Sequence, residues 1–261
     1  MEFGMPTLIE LKSLEACAKL CKELGLQFIE LNMNLPEYQA DRMEADIFME
    51  IAQRYGIYYT IHLDEKLSPC DFNERIAQAY TDTVIHTIEA AKRLHVPVLN
   101  MHLSMGVYFT LPEERVYLFN EYRETYLAKL TAFRDQCEKA IGEADIRICV
   151  ENSDGYREEF AKSSLALLLE SKVFALTFDI GHNAAIGGGD EEIIMENKDR
   201  LCHMHDAKGM RNHLPLGTGE LDLPGYVELA DKQNCRVVLE TKNVAGLKES
   251  AEWIKRRKLG M

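Results

Sequence analysis

The chain lacks any long uninterrupted apolar run, so no segment reads as a membrane-spanning helix. No basic stretch precedes an apolar one at Met1-Glu2-Phe3-Gly4, so no secretory signal is expected. The seven cysteines (Cys17, Cys21, Cys70, Cys137, Cys149, Cys202 and Cys235) form no C-x-x-C pair. Several fall at expected core positions, where a free thiol acts as a small apolar group. A reducing, cytoplasmic setting fits that usage best. An excess of positive charge is also missing: the formal net charge is -13, which on average repels a polyanion and disfavours nucleic acid as a partner. There is no internal repeat in identity and no low-complexity linker. What remains is 261 residues, 46% of them hydrophobic, enough for one large α/β domain spanning 1–261 with a full core.

A repeat of pattern runs through the chain: short apolar strand, loop, amphipathic helix, eight times. Strands are expected at 2–5, 26–31, 57–61, 98–101, 146–150, 174–178, 201–205 and 236–239. Helices are expected at 13–24, 41–55, 71–94, 158–171, 224–232 and 247–257, with a short one from about 190. Two capping boxes are read, Asp71 with Glu74 and Thr110 with Glu113. The second is expected to open a helix reaching Ile141 that uses Val116, Phe119, Tyr126, Leu130, Phe133 and Cys137. Gly187-Gly188-Gly189 reads as a mobile connection, and 206–223 as a long loop. This alternation predicts a single parallel (β/α)8 TIM barrel. The rival open doubly wound sheet calls for a glycine-rich turn after its first strand, which Gly4-Met5-Pro6-Thr7 does not supply.

Of the eight histidines, only His86 and His95 fall in expected helices or at their ends. His62, His102, His182, His203, His205 and His213 fall at the C-terminal ends of strands or just beyond, as do Glu151, Asp179 and Glu240. In a barrel those ends share one face, where barrel enzymes place their chemistry. A lone strand-end histidine is usually a hydrogen-bonded structural residue, and a lone acid is often a cap. Four strands ending in Glu151, Asp179, His203 and Glu240 are a different matter. Their carboxylates would repel one another and raise one another's pKa, a cost that a divalent cation removes. His203 and His205 are two apart on one strand and share a face; either could be the ligand. Lys208, Arg211 and Lys242 are candidate anion anchors, with an ordinary solvated position favoured for each. Gly217 and Gly219 read as turn formers before a phosphate cradle.

The stretches Glu151-Asn152, Phe178-Asp179-Ile180-Gly181-His182, His203-Met204-His205-Asp206-Ala207-Lys208, His213-Leu214-Pro215-Leu216-Gly217-Thr218-Gly219 and Leu239-Glu240-Thr241 resemble the superfamily joining xylose-isomerase-like sugar isomerases and epimerases to endonuclease IV. For the epimerase-like members the resemblance implies one Mn2+, Co2+, Mg2+ or Zn2+ held by Glu151, Asp179, His203 and Glu240. His203 is chosen because it stands three residues before Asp206 in an H-x-x-D pattern. For endonuclease IV it implies three zinc ions, with His62, His102, His182 and His213 in the enlarged set. Arg211 stands where that set has an aspartate, and Thr218 where its loop has a glutamate. Glu158 is an out-of-register counterpart of a second glutamate in tagatose-epimerase-like enzymes.

The resemblance thus implies a metal-dependent isomerase or epimerase of a small sugar-like hydroxycarbonyl compound. The cation acts there as a Lewis acid favouring an enediolate, and Glu151 and Glu240 exchange the proton. His182 and His205 would bind hydroxyls, and Arg211 and Lys242 are candidate substrate contacts. The alternative is a zinc phosphodiesterase acting at abasic DNA sites, which histidine richness favours and the acidic charge opposes. A non-catalytic metal- or sugar-binding barrel is the third reading. A homo-oligomer is compatible with the sequence.

Overall fold

The computed structural model describes residues 1–197 and 201–258. Eight parallel strands close into a barrel: β1 (Glu2–Pro6), β2 (Phe28–Asn32), β3 (Tyr58–His62), β4 (Val98–His102), β5 (Arg147–Glu151), β6 (Phe174–Asp179), β7 (Leu201–Met204) and β8 (Arg236–Leu239). Each strand pairs with its sequence neighbours, and β8 closes on β1. The strands are buried on both faces, which is why they read as near-continuous apolar runs. All seven cysteines are buried. Among the described residues no helix is long and apolar enough to cross a membrane.

Register sets the level of the barrel mouth. His102 lies beside Glu151, and Glu151 beside Thr177. Asp179 lies beside His203, and His203 beside Val238. The strand ends therefore carry their polar groups at one height.

Local rules explain the helix starts and stops. Ser13 caps the helix Leu14–Glu23, its Oγ accepting from Ala16 N–H at 3.2 Å. Gly56 ends the helix Ala45–Tyr55 in the left-handed conformation. The start of that helix is later than expected, because two 3-10 turns, Pro36–Tyr38 and Ala40–Arg42, precede it. Its buried face is Phe48, Ile51 and Ala52, while Ile47 is exposed. Asn73, not Asp71, caps the helix Glu74–Arg93. Asp71 instead accepts from Asn73 N–H at 2.7 Å in a turn of its own.

Three stretches depart from the sequence reading. The Thr110–Glu113 capping box does not form. Tyr108–Thr110 and Arg115–Tyr117 make an antiparallel hairpin instead, closed by Leu111 N–H to Glu114 C=O at 2.8 Å. Tyr-Phe-Thr and Val-Tyr are strand formers, and Pro112 fits the turn between them. A short helix, Leu118–Glu121, then leads into Arg123–Ile141. His182 lies on a short helix, Ile180–Ala185, whose N-cap is Asp179, rather than in a loop. The supposed loop after His205 contains a second hairpin, Asp206–Lys208 with Arg211–Leu214.

Candidate metal centre

The mouth is organised around His203, which is fully buried. Its Nδ1 lies 3.1 Å from Glu240 Oε2, 3.4 Å from Glu151 Oε2 and 3.9 Å from Asp179 Oδ2. The four residues expected at strand ends are thus brought together. Three buried polar atoms here have no hydrogen-bond partner: His203 Nδ1, His182 Nδ1 and Glu240 Oε2. Orphaned buried polar atoms are costly, and convergent ones of this donor type mark a place for a cation.

The donor set fits a divalent ion. Ligand atoms of Glu151, Asp179 and His203 lie within 4.8 Å of one another, as do those of Asp179, His205 and Glu240. Two further groups meet the same criterion: His62 with His102 and Glu151, and His182 with His205 and His213.

Hydrogen bonds separate His203 from His205. The His213 backbone N–H donates to His205 Nδ1 at 2.8 Å, so that nitrogen is the acceptor. His205 Nε2 must then carry the proton it offers to Asp179, at 3.0 and 3.1 Å. Both nitrogens of His205 are engaged, whereas Nδ1 of His203 is not. This favours His203 as the strand-seven ligand and also weakens the His182–His205–His213 group as an ion site.

Electrostatics follow from crowding four acids among imidazoles. Burial alone pushes the His203 pKa down, but the carboxylates of Glu30, Glu151 and Glu240 outweigh it and hold it well above the ordinary histidine range. Burial is likewise overcome at His62 and His182, both raised to about 9 with Glu151 as the leading partner. Burial would raise Glu151 and Glu240, yet His203 and the other cations beside them hold both well below the usual carboxylate range. His213 goes the other way, lowered by burial to about 4.

Surrounding residues fix these side chains. Asn100 Nδ2 donates to Glu151 Oε2, and Asn100 Oδ1 accepts from Thr177 Oγ1 at 2.6 Å. Asn152 brackets the Asp179 backbone, accepting from its N–H at 2.7 Å and donating to its C=O at 3.1 Å. Asp179 Oδ1 accepts from His182 N–H at 2.7 Å. His62 donates from Nδ1 to Leu63 C=O at 2.7 Å, which turns its Nε2 toward Glu151, 3.6 Å away; His102 Nε2 is 3.5 Å from the same oxygen.

Gly217 and Gly219 turn out to serve Asp206. Its carboxylate accepts from the N–H groups of Ala207, Gly217, Gly219 and Leu221 at 2.8 to 3.2 Å. A Cβ on Gly219 would meet Ala207 O and Asp206 Oδ1 at 2.3 Å. Those amides are therefore committed within the chain rather than to a phosphate, and they anchor the hairpin that carries His213.

The remaining candidates divide. Lys242 donates from Nζ to Glu240 Oε1 at 2.8 Å. It lines a groove of about 510 Å3 with Asn32, Asn34, Glu65 and Glu240. Arg211 stands exposed opposite Lys208 in the second hairpin. Glu158 is tied to Asn120 Nδ2 at 3.1 Å. Sequence reasoning missed Glu30, Asn100 and Asn152. The first two were signalled by a lone polar residue inside an otherwise apolar strand.

A closed parallel barrel with a polar centre of this composition at its C-terminal mouth defines a class of barrel proteins that work at their strand ends. The chain belongs to the xylose isomerase-like TIM barrel family, whose model matches residues 18–257. Among solved structures it resembles a D-tagatose 3-epimerase-like protein at TM-score 0.80 and 22% identity, with 99% of this chain and 97% of that one covered. The 3-keto-D-glucoside 4-epimerase YcjR from E. coli superposes at TM-score 0.77 and 14% identity, covering 98% and 99%. IolI with a bound zinc atom superposes at 0.73 and 18%, covering 100% and 97%. Among curated proteins none matches by sequence.

Proposed function

We propose that this protein is a divalent-metal-dependent isomerase or epimerase of a small sugar or sugar-like hydroxycarbonyl compound. The observation that carries the reading is the convergence of His203 Nδ1 and Glu240 Oε2, buried and unpartnered, with Glu151 and Asp179 around them. Zn2+, Mn2+, Co2+ or Mg2+ would be held by Glu151, Asp179, His203 and Glu240, and when bound would supply Lewis-acid stabilisation of negative charge on substrate oxygen. The kinship with epimerases, and with a zinc-bearing relative, supports both parts of the reading.

The chain's own groups supply the rest. Glu151 and Glu240 come from β5 and from the end of β8, each with an oxygen within 3.4 Å of His203 Nδ1. Held as carboxylates, they can take a proton from a carbon between them and return one. Asn100 and Lys242 fix the angle of each carboxylate. His182, partly open to the mouth, is placed to donate to a substrate hydroxyl. Lys242 lies at the edge of the groove into which the rest of the substrate would extend. Incubation of metal-loaded protein with a panel of ketoses in D2O tests the reading. Deuterium entering at carbon next to the carbonyl is expected; none with any sugar would defeat it.

A second reading, a zinc phosphodiesterase acting at abasic DNA, is favoured by one observation. His62, His102 and Glu151 form an adjoining three-ligand group, with His62 already turned by Leu63 to present Nε2. The count of tightly held ions separates the two: one per chain for the isomerase, three for the nuclease. A cytoplasmic location accords with seven buried cysteines and no C-x-x-C pair.

A further inference from the structure

We infer that Glu30 is the positioning residue of this site: it fixes the ring of His203 so that Nδ1 faces Glu151, Asp179 and Glu240. The inference rests on the metal reading above but concerns a residue outside the ligand set. Glu30 sits on β2 between Ile29 and Leu31, and its side chain reaches across the barrel interior to β7. Its Oε1 is 3.3 Å and its Oε2 3.2 Å from His203 Nε2. Glu30 is only 2% exposed, and among the described residues its carboxylate pairs with His203, while its charge also acts on His62.

A buried carboxylate paired with one imidazole is a poor stabilising device. The desolvation of both groups offsets much of their attraction, and an apolar pair of similar volume is often as stable. Its physical sense lies in geometry. An imidazole can present either nitrogen, and a ring free to flip about χ2 would offer the acids the wrong atom half the time. A carboxylate accepting from Nε2–H leaves Nδ1 as the nitrogen facing the other three acids. Carboxylate, histidine and ion in line is the arrangement by which an outer partner orients a ligand and raises its basicity. Asp179 holds His205 by the same kind of bond, but the His213 N–H occupies that ring's other nitrogen. Glu30 therefore makes the ligand, and His205 buttresses one.

The test compares the parent, Glu30→Ala and Glu30→Gln, all stripped with chelator and titrated with Co2+. The amide oxygen of Gln can still accept from Nε2–H, so it separates orientation from packing. Glu30→Ala is expected to lose about ten- to a hundredfold in Co2+ affinity and to change its visible d–d spectrum. Glu30→Gln should recover most of both. Long-range 1H–15N spectra of the imidazoles, recorded with and without Zn2+, should show Nε2–H of His203 bonded in the parent and in Glu30→Gln but released in Glu30→Ala. Unchanged affinity and spectrum in Glu30→Ala would overturn the assignment. A merely structural role would lower stability and leave the cobalt spectrum alone. A parent that takes up no Co2+ would defeat the metal reading instead; the imidazole spectra of the metal-free proteins would then decide Glu30, identical His203 signals in all three refuting its role.

Discussion

Uptake of the metal should expel protons, and the number can be worked out from the geometry. In the metal-free protein four carboxylates surround His203: Glu30 on Nε2, Glu151 and Glu240 near Nδ1, and Asp179 slightly farther from Nδ1. Burial opposes charging the ring, but these acids win, so the imidazole remains protonated well above its ordinary range. A metal needs the Nδ1 lone pair, so that proton has to leave. One ion on Glu151, Asp179, His203 and Glu240 therefore releases at least one proton near pH 7.5, and more where neutralising Glu151 also discharges His62 and His182. Apparent affinity should rise at least about tenfold per pH unit, or ~1.4 kcal/mol. A second ion on His62, His102 and Glu151 would release another proton from His62, with that slope flattening near pH 9. Calorimetric titration of stripped protein with Zn2+ or Co2+ in buffers of different ionisation enthalpy counts the protons directly. Zero protons at pH 7.5, or an affinity independent of pH between about 6.5 and 8.5, would refute the assignment of His203 as a ligand that must discharge first.

Three further outcomes are expected. Gly181→Ala places a Cβ 1.9 Å from Cε1 of the buried His205 ring, forcing it off Asp179. A loss of about 2–4 kcal/mol in urea unfolding follows from overpacking plus a charge-assisted bond, and a change under about 0.5 kcal/mol would contradict it. Asp206→Ala strips the acceptor from four backbone N–H groups and should cost about 2–3 kcal/mol while loosening the His213 hairpin, read as faster amide exchange at Gly217 and Gly219. The metal-free protein should be least stable at the two ends of the pH range. His62 and His182, raised to about 9, contribute stability that is full below pH ~6.5 and is lost as pH climbs to 9. His213, lowered to about 4, contributes above pH ~6.5 and loses it as pH falls toward 4. Urea midpoints rising steadily from pH 6 to 9.5 would contradict this.

What could be read from the chain was whatever depended on order along one strand. The sites of Glu151, Asp179, His203 and Glu240 follow from apolar runs that end in a polar residue, and the barrel brings such ends together by its own topology. Contacts across the barrel were not readable in the same way. Glu30 is a lone acid in Phe-Ile-Glu-Leu, and nothing local says that β2 faces β7 through the interior. The Thr110–Glu113 box failed for a related reason. Capping residues also suit turns, and strand-forming Tyr108-Phe109 on one side with Val116-Tyr117 on the other settled the local competition for a hairpin. Ile47 and Ile76 fall in helical step with apolar neighbours, yet both are exposed.

Six imidazoles with the same intrinsic chemistry share the mouth, and apart from the H-x-x-D spacing that picks out His203 the sequence does not rank them. Their differences arise at the nitrogen that faces away from the acids. His62 gives its outer N–H to the Leu63 carbonyl, and His203 gives its own to Glu30. Each therefore presents the other nitrogen to Glu151. His205 takes an N–H from the His213 backbone and must spend its proton on Asp179. That backbone N–H is in reach because His213 adopts a left-handed φ of 53°, a conformation that non-glycine residues adopt at a cost. The hairpin that imposes it is pinned in turn by Asp206. Division of labour between two histidines two residues apart is thus set by a loop more than ten residues downstream, through one hydrogen bond that fixes which tautomer survives.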